Sequence, residues 1–291
     1  MSFIYAEKNV EILHNGEQYE TTQIFSDTKT ELIGAVKANW SEAQAQNIAK
    51  YGFIKSMIIA PKCCISFVGN DVANAHKLLG KAYETKVFSE QQLIDWAFSI
   101  HKSAKEDDID FLICYADDND ETHIVCIKEG QISYGCQSAW IGSRKTFEKM
   151  QELRIMDSTK SSSTLFDMAI SSDVDDTVGI FSVHVIFGVE EKRFLYPYRF
   201  VSVIGRTQTV KPFQSLDLYG TASEGSLTVE YRESYEDVII DFHQNDFTIA
   251  YTQKYRLSNK DLNNEHTKYF MLPIRIKTST QSLKDVVDTN D

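Results

Sequence analysis

The apolar positions of the first two hundred residues follow two alternating patterns. Short apolar runs between turn residues are typical of paired strands, whereas apolar residues at intervals of three and four are typical of helices. Asn15-Gly16 and Pro61-Lys62 mark two predicted hairpin turns. The predicted strands span 2–8, 18–27, 56–60, 63–68, 110–116, 122–128, 131–136, 179–187 and 193–203.

Helices are predicted in two adjacent pairs between these groups of strands. Asn70 is a candidate N-cap for the first helix, whose apolar residues recur at helical spacing from 72 to 82. Ser89-Glu90-Gln91-Gln92 has the form of a capping box and begins the second helix. The second pair is predicted at 144–156 and 162–171, and a further short helix at 41–50.

The order of these elements predicts the fold class. Paired strands followed by paired helices favour a layered α+β sandwich, because a parallel α/β sheet would alternate strands and helices singly. From about residue 207 the pattern changes to strands alone, predicted at 227–232, 238–242, 247–253 and 270–277. We therefore expect two units, a layered domain over 1–205 and a β-rich C-terminal extension over 206–291.

Composition narrows the classes of function. The net charge of −12 argues against nonspecific binding to nucleic acid or to an anionic membrane. No apolar run reaches the roughly 18–20 residues of a membrane span, and the first ten residues lack the features of a signal peptide, so a cytoplasmic location is predicted. The five cysteines form no CxxC pair, which favours buried, reduced thiols. The seven histidines lack the spacing of a zinc site, and neither a metal nor a cofactor is predicted.

Four short segments occur in an order that points to one family. Ser26-Asp27-Thr28-Lys29 ends a strand, Lys55 precedes a strand–turn–strand unit that closes at Gly69, residues 71–75 (DVANA) begin a helix, and Ile141-Gly142-Ser143 precedes another. Together they resemble the proteasome β-subunit family and its bacterial HslV-type relatives, which are N-terminal nucleophile (Ntn) hydrolases. The likeness covers roughly residues 1–205 and implies a four-layer αββα sandwich.

The resemblance also implies a catalytic centre at the start of the chain. In this family the hydroxyl of the first mature residue attacks the scissile carbonyl, and its own α-amine, with a pKa of about 8, takes the proton. By position, Ser2 is the nucleophile once Met1 is removed. Asp27 and Lys55 correspond to the ion pair that lowers the pKa of the nucleophile.

Three further positions follow from the same resemblance. Ser143 corresponds to the serine that supports the terminal amine, and Asp175 or Asp176 corresponds to the second aspartate. A backbone N–H near Gly69 is expected to donate to the oxyanion. Arg144 stands where the family has a glycine, which predicts a bulky cation close to the site.

The implied activity is cleavage of peptide (amide) bonds in a peptide or protein substrate. Family members assemble into rings, so a homo-oligomer is expected, and a partner ATPase or regulator is a further expected contact. Two alternatives stay open. The chain can be a catalytically inactive Ntn-fold assembly or sensor protein that acts through partner binding, or an amidase that acts on a small molecule.

Each candidate residue also has an ordinary structural role available to it. Ser2 can simply begin a strand, Asp27 can stabilise a turn, Lys55 can lie at a strand edge, and Ser143 can cap the helix that begins at residue 144. The acidic run 117–121 indicates a solvated loop, with weak cation binding as the alternative. An alternating aromatic set predicts either one packed sheet face or a contact surface for a peptide or subunit; it comprises Phe194, Tyr196, Tyr198 and Phe200.

Overall fold

The computed structural model describes residues 2–12, 16, 18–29, 54–69, 72–85, 89–104, 109–172, 174–179 and 182–195, followed by the backbone of six strands between 198 and 278. Its helices are α1 Val72–Thr85, α2 Glu90–Ser103, α3 Arg144–Met156 and α4 Ser162–Ile170. The strands are β1 Phe3–Ile12, β2 Gln18–Asp27, β3 Ser56–Ala60, β4 Cys63–Gly69, β5 Ile109–Ala116, β6 Thr122–Lys128, β7 Gln131–Ser133, β8 Ser138–Gly142, β9 Ser182–Gly188, β10 Arg193–Leu195, β11 Tyr198–Ile204, β12 Thr207–Pro212, β13 Gly225–Arg232, β14 Asp237–Gln244, β15 Phe247–Lys254 and β16 Pro273–Thr278.

Two five-stranded antiparallel sheets form the first part of the chain. The first has the order β10-β9-β2-β1-β8 and the second the order β3-β4-β5-β6-β7. Strand β1 alternates between two apolar environments, because successive side chains of a strand point to opposite faces. Ile4 and Ala6 lie in the core between the sheets, whereas Phe3 and Tyr5 pack with residues of α3 and α4.

The helices contact the sheets in two groups. Helix α1 contacts β3 and β4, and α2 contacts β5 and β6. Helices α3 and α4 contact each other, and α4 contacts β2 and β9 of the first sheet. The predicted capping box of α2 is confirmed: the Ser89 hydroxyl accepts from Gln92 N–H, and the Gln92 side chain accepts from Ser89 N–H. None of the described helices has the length and apolar character that crossing a membrane requires.

The third sheet is a six-stranded antiparallel meander in which the strands follow in chain order from β11 to β16. The α+β class and the β-rich character of the C-terminal third, both predicted from the sequence, are confirmed. Strand β11 pairs with β12, so the predicted strand at 193–203 is two strands in different sheets. The division into units at residue 205 stays a prediction.

The sequence pattern misses two strands, β8 Ser138–Gly142 and β12 Thr207–Pro212. The prediction at 131–136 ended the β-region there, but only Gln131–Ser133 pairs with β6, and the chain then crosses to β8, which pairs with β1 in the other sheet. Strand β8 has five residues, two of them exposed or glycine, so its apolar signal is weak. The predicted helix at 41–50, the turn at Asn15 and the Asn70 cap lie outside the described residues.

Candidate functional site

Ser2 lies at the entrance to β1, where the first sheet fixes its backbone. Ser143 N–H donates to the Ser2 carbonyl at 2.7 Å, and Ser2 is only 5% exposed. Gly142 makes this approach possible: its φ is +89°, and a Cβ at this position would stand 1.9 Å from the Ser2 carbonyl oxygen. Only a glycine fits there, since a side chain would meet both the backbone strain and the clash.

Asp27 is brought beside Ser2 by strand register. Ile4 is paired with Ser26, so the last residue of β2 lies next to the first residues of β1. Phe3 N–H donates to Asp27 Oδ1 at 2.9 Å, and Gly179 N–H donates to Asp27 Oδ2 at 3.2 Å. The carboxylate is fully buried, and both of its oxygens are held.

Lys55 completes an ion pair with this carboxylate. Its Nζ lies 2.9 Å from Asp27 Oδ1, and its side chain is 1% exposed. Lys55 Nζ also donates to the carbonyl of Lys29, and the Ser2 hydroxyl donates to the same carbonyl at 3.1 Å. Because both donors share one acceptor, the ammonium and the Ser2 hydroxyl lie within two hydrogen-bond lengths of each other.

The ionisation of this pair is shaped by burial. Burial raises the pKa of Asp27, and the Lys55 charge together with the N–H donors of Phe3 and Gly179 opposes that rise. Burial lowers the pKa of Lys55, and Asp27 opposes the fall. The pKa values of Asp27 and Lys55 are therefore closer together than in water. Such perturbed pKa values are common among groups that transfer protons or stabilise charge in active sites.

Ser143 and Asp175 form a second polar unit next to Ser2. Ser143 is the N-cap of α3, as predicted: its Oγ accepts from Thr146 N–H at 3.1 Å. The same hydroxyl donates to Asp175 Oδ2 at 2.5 Å. Partial burial raises the pKa of Asp175, but the hydrogen bonds from Ser143 and Thr177 outweigh it and hold that pKa below its usual value. Asp176, the alternative considered from sequence, has an exposed side chain.

Arg144 extends its side chain into solvent. Its side chain is 81% exposed and its Nε donates to Glu148 at 2.8 Å, one turn further along α3. The helical backbone directs the guanidinium toward the i+4 carboxylate, and the closeness of this cation to Ser2 stays a prediction. Gly69 has a φ of +141°, and the turn that follows it lies outside the described residues.

The structure thus brings the five predicted residues Ser2, Asp27, Lys55, Ser143 and Asp175 into one bonded neighbourhood. Three contributors were missed by sequence reasoning. The Lys29 carbonyl carries no side-chain signal, since any residue supplies it. Thr146 donates its hydroxyl to Ser143 at 3.0 Å, and Thr177 donates N–H and hydroxyl to Asp175 at 3.0 and 2.6 Å. The Asp-x-Thr spacing of an Asx turn could have identified Thr177.

The cysteine thiols are a second class of possible nucleophile among the described residues. The five cysteines are free, three are buried, and burial raises the pKa of each of these three thiols, so they are poor nucleophiles; they are Cys63, Cys64 and Cys114.

The loop between β5 and β6 holds one group of possible metal ligands. Donor atoms of Asp117, Glu121 and His123 lie within 4.8 Å of one another. Asp117 Oδ1 accepts from the N–H groups of Asn119 and Glu121 at 2.8 and 3.0 Å, which is the arrangement of an ordinary Asx turn. The geometry is thus explained by the loop itself, and we assign no ion to it.

Comparison with known proteins places this fold only distantly. No family model matches the chain, and no curated protein matches it. Among solved structures, the chain is similar to Anbu (ancestral β-subunit) from Yersinia bercovieri, with a TM-score of 0.45 and 11% sequence identity over 67% of this chain and 86% of that one. The likeness is distant and concerns the fold alone.

Proposed function

We propose that this chain is a proteasome-like Ntn hydrolase that cleaves peptide (amide) bonds, with Ser2 as the nucleophile after Met1 is removed. The observation that carries the proposal is the convergence of the Ser2 hydroxyl and the Lys55 ammonium on the Lys29 carbonyl. Burial of a lysine–carboxylate pair costs free energy, and such pairs are frequent where chemistry needs perturbed pKa values. The order of sequence motifs from Ser26 to Ser143 supports the same reaction class.

The proposed reaction uses the chain terminus as its base. Removal of Met1 gives Ser2 a free α-amine, which accepts the hydroxyl proton as the oxygen attacks the substrate carbonyl. A C–O bond forms, the C–N bond of the substrate breaks, and the leaving amine takes the proton from the ammonium. Water, deprotonated by the same α-amine, then hydrolyses the ester and restores the hydroxyl.

The surrounding groups have separate tasks in this scheme. The Lys55 ammonium stabilises the developing charge on the Ser2 oxygen, and in a buried site this attraction is stronger than in water. Asp27 holds Lys55 in place. Ser143 N–H fixes the Ser2 carbonyl, and the Ser143–Asp175 pair provides the polar environment that an ammonium form of the terminus requires.

The finer fold assignment belongs to the same proposal. We assign the first unit to a four-layer αββα sandwich with the two five-stranded sheets inside. The contacts of α1 and α2 with the second sheet, and of α4 with the first, support this arrangement. A peptide or protein substrate, a homo-oligomeric assembly and a partner ATPase or regulator complete the proposal.

The test begins with the terminus itself. Intact mass and N-terminal sequencing of the protein from its native host should show loss of one methionine and a free Ser2 amine. An electrophilic acylating probe should then add one equivalent, located on Ser2 by peptide mass spectrometry. Ser2→Ala should abolish labelling and amide hydrolysis, whereas Ser2→Thr, which keeps the hydroxyl, should retain both.

A folded native protein that keeps Met1 would rule out this mechanism, since residue 2 would then carry an amide in place of its base. The inactive Ntn-fold assembly protein would become the leading interpretation. Labelling that persists in Ser2→Ala would likewise exclude Ser2 as the nucleophile.

A further inference from the structure

Helices α3 and α4 begin with the same kind of cap, a serine followed three residues later by a threonine. The pairs are Ser143 with Thr146 and Ser161 with Thr164. In each cap the serine hydroxyl accepts the threonine N–H, at 3.1 Å in α3 and at 3.3 Å in α4. This backbone bond is the one that defines an N-cap, so neither helix needs the threonine hydroxyl in order to begin.

The surroundings of the two threonine hydroxyls differ. Thr146 is 1% exposed, and its hydroxyl donates to Ser143 Oγ at 3.0 Å. The Thr164 hydroxyl lies 2.9 Å from Ser161 Oγ, but that contact is at the surface. Of the two caps, the one on α3 continues to a carboxylate, because Ser143 donates to Asp175 Oδ2 at 2.5 Å.

The hydrogen-bonding capacity of the Ser143 hydroxyl is full. A serine hydroxyl has one hydrogen to donate and two lone pairs that accept. Thr146 occupies both lone pairs, one through its N–H and one through its hydroxyl, so the single hydrogen of Ser143 is left for Asp175. Hydrogen bonds in series polarise one another at low dielectric constant, so a hydroxyl that accepts twice is the stronger donor.

Asp175 is held as an acceptor at the end of this series. Its Oδ2 accepts from Ser143, and its Oδ1 accepts from the N–H and the hydroxyl of Thr177. Hydrogen bonds to an ionised carboxylate favour the charged form. The other charged groups of the candidate site are the positive chain terminus, Asp176, Asp27 and Lys55.

We propose that Thr146 is a positioning residue of the candidate site, whose hydroxyl directs the Ser143 proton onto Asp175 and so fixes the carboxylate that supports the Ser2 terminus. The effect on catalysis rests on the proposed function, whereas the series of hydrogen bonds from Thr146 to Asp175 exists with or without chemistry at Ser2. Because Thr146 is buried and acts through Ser143, its loss should affect turnover more than substrate binding.

The matching caps provide a controlled test. Thr146→Val removes the hydroxyl and keeps a β-branched side chain, Thr146→Ser keeps the hydroxyl, and Thr164→Val removes the corresponding hydroxyl from α4. On an amide substrate, Thr146→Val should lower kcat about tenfold with KM within about twofold of wild type, as expected for one lost hydrogen bond. Thr146→Ser should recover most of the loss, and Thr164→Val should behave as wild type. Thr146→Ala replaces the valine variant if circular dichroism shows that the latter is unfolded.

Equal kcat values for wild type and Thr146→Val would overturn this inference and leave the proposed function standing. A titration of the Asp175 carboxyl carbon decides the inference in a chain that proves inactive. The protein is labelled with ¹³C-aspartate, and the signal is assigned by its loss in Asp175→Asn.

Weakening a donor to an ionised carboxylate raises its pKa, so the pKa of Asp175 should be higher by about 0.5 in Thr146→Val and unchanged in Thr164→Val. An unchanged pKa of Asp175 in Thr146→Val would overturn the inference. A raised pKa in an inactive chain would support the series of hydrogen bonds and refute the proposed function alone.

Discussion

Replacing Lys55 by methionine isolates the energetic role of the buried ion pair. Methionine retains most of the apolar stem of lysine but removes the ammonium, so packing changes little and Asp27 loses its counter-charge. Removing one partner of a buried pair typically costs about 3–5 kcal/mol in the free energy of unfolding. Asp27 keeps the N–H donors of Phe3 and Gly179, so we expect the lower end, about 3 kcal/mol at pH 7.

The cost should depend on pH, and the sign follows from Asp27. Burial already raises the pKa of Asp27, and the loss of the Lys55 charge raises it further. A carboxyl whose folded pKa is raised contributes stability below its unfolded pKa of about 3.9, and that stability is lost as pH rises through the folded pKa. The destabilisation of Lys55→Met relative to wild type should therefore grow from pH 4 toward neutral pH.

The assay can be confined to the relevant part of the chain. All three tryptophans, at positions 40, 96 and 140, precede the C-terminal meander, so urea unfolding followed by tryptophan fluorescence reports on the part of the chain that holds Lys55. Asp27→Asn combined with Lys55→Met removes both charges and should recover at least half of the loss. A loss below about 1 kcal/mol at pH 7, or a loss that is the same at pH 5 and pH 8, would refute the reasoning.

Three further changes test other parts of the structure. Gly142→Ala should lower the melting temperature strongly and prevent acylation, because its Cβ would meet the Ser2 carbonyl at 1.9 Å and its φ of +89° is strained; a melting temperature within a degree of wild type would contradict this. Burial lowers the pKa of His184 to about 3, so the free energy of unfolding should fall as pH drops below 6.5, by up to about 2 kcal/mol at pH 5. His184→Leu should remove this acid sensitivity in urea titrations. His101 Nδ1–H donates to the Ile109 carbonyl at 2.5 Å, and Nε2 accepts from Gly130 N–H at 2.8 Å. His101→Phe should therefore lower the free energy of unfolding by about 2–4 kcal/mol and speed amide exchange at Gly130; an unchanged exchange rate would disprove this.

The strands and helices with strong patterns were predictable, and the elements that depend on pairing were not. Ser89 and its capping box predict the start of helix α2, and an apolar run predicts β5. Strand β8 has no such run and exists because β1 offers it an edge. Likewise, the alternating aromatic series does not lie in one sheet: Phe194 belongs to the first sheet and Phe200 to the third. Alternation predicts which residues share a face of a strand, but it does not predict the sheet in which that strand is paired.

The sequence predicted the side chains of the candidate site but not the backbone groups that join them. The motifs located Asp27, Lys55 and Ser143, whose types matter to the chemistry. The carbonyl of Lys29 joins Ser2 to Lys55, yet a carbonyl is common to every residue and leaves no trace in a sequence. The direction of Arg144 could have been predicted, because Glu148 stands four residues further along the predicted helix 144–156 and oppositely charged i,i+4 pairs interact.

The hydroxyl of Ser143 makes two hydrogen bonds that connect the first turn of α3 to the candidate site. It starts α3 by accepting the Thr146 N–H, and it donates to Asp175 on the loop that leads to β9. Ser143 therefore couples the two segments: fraying of the first turn of α3 weakens the hold on that loop, and opening of the loop weakens the helix cap. Slow exchange of the Thr146 amide would report a closed site, and a ligand that tightens the loop would be detected at a helix it never touches.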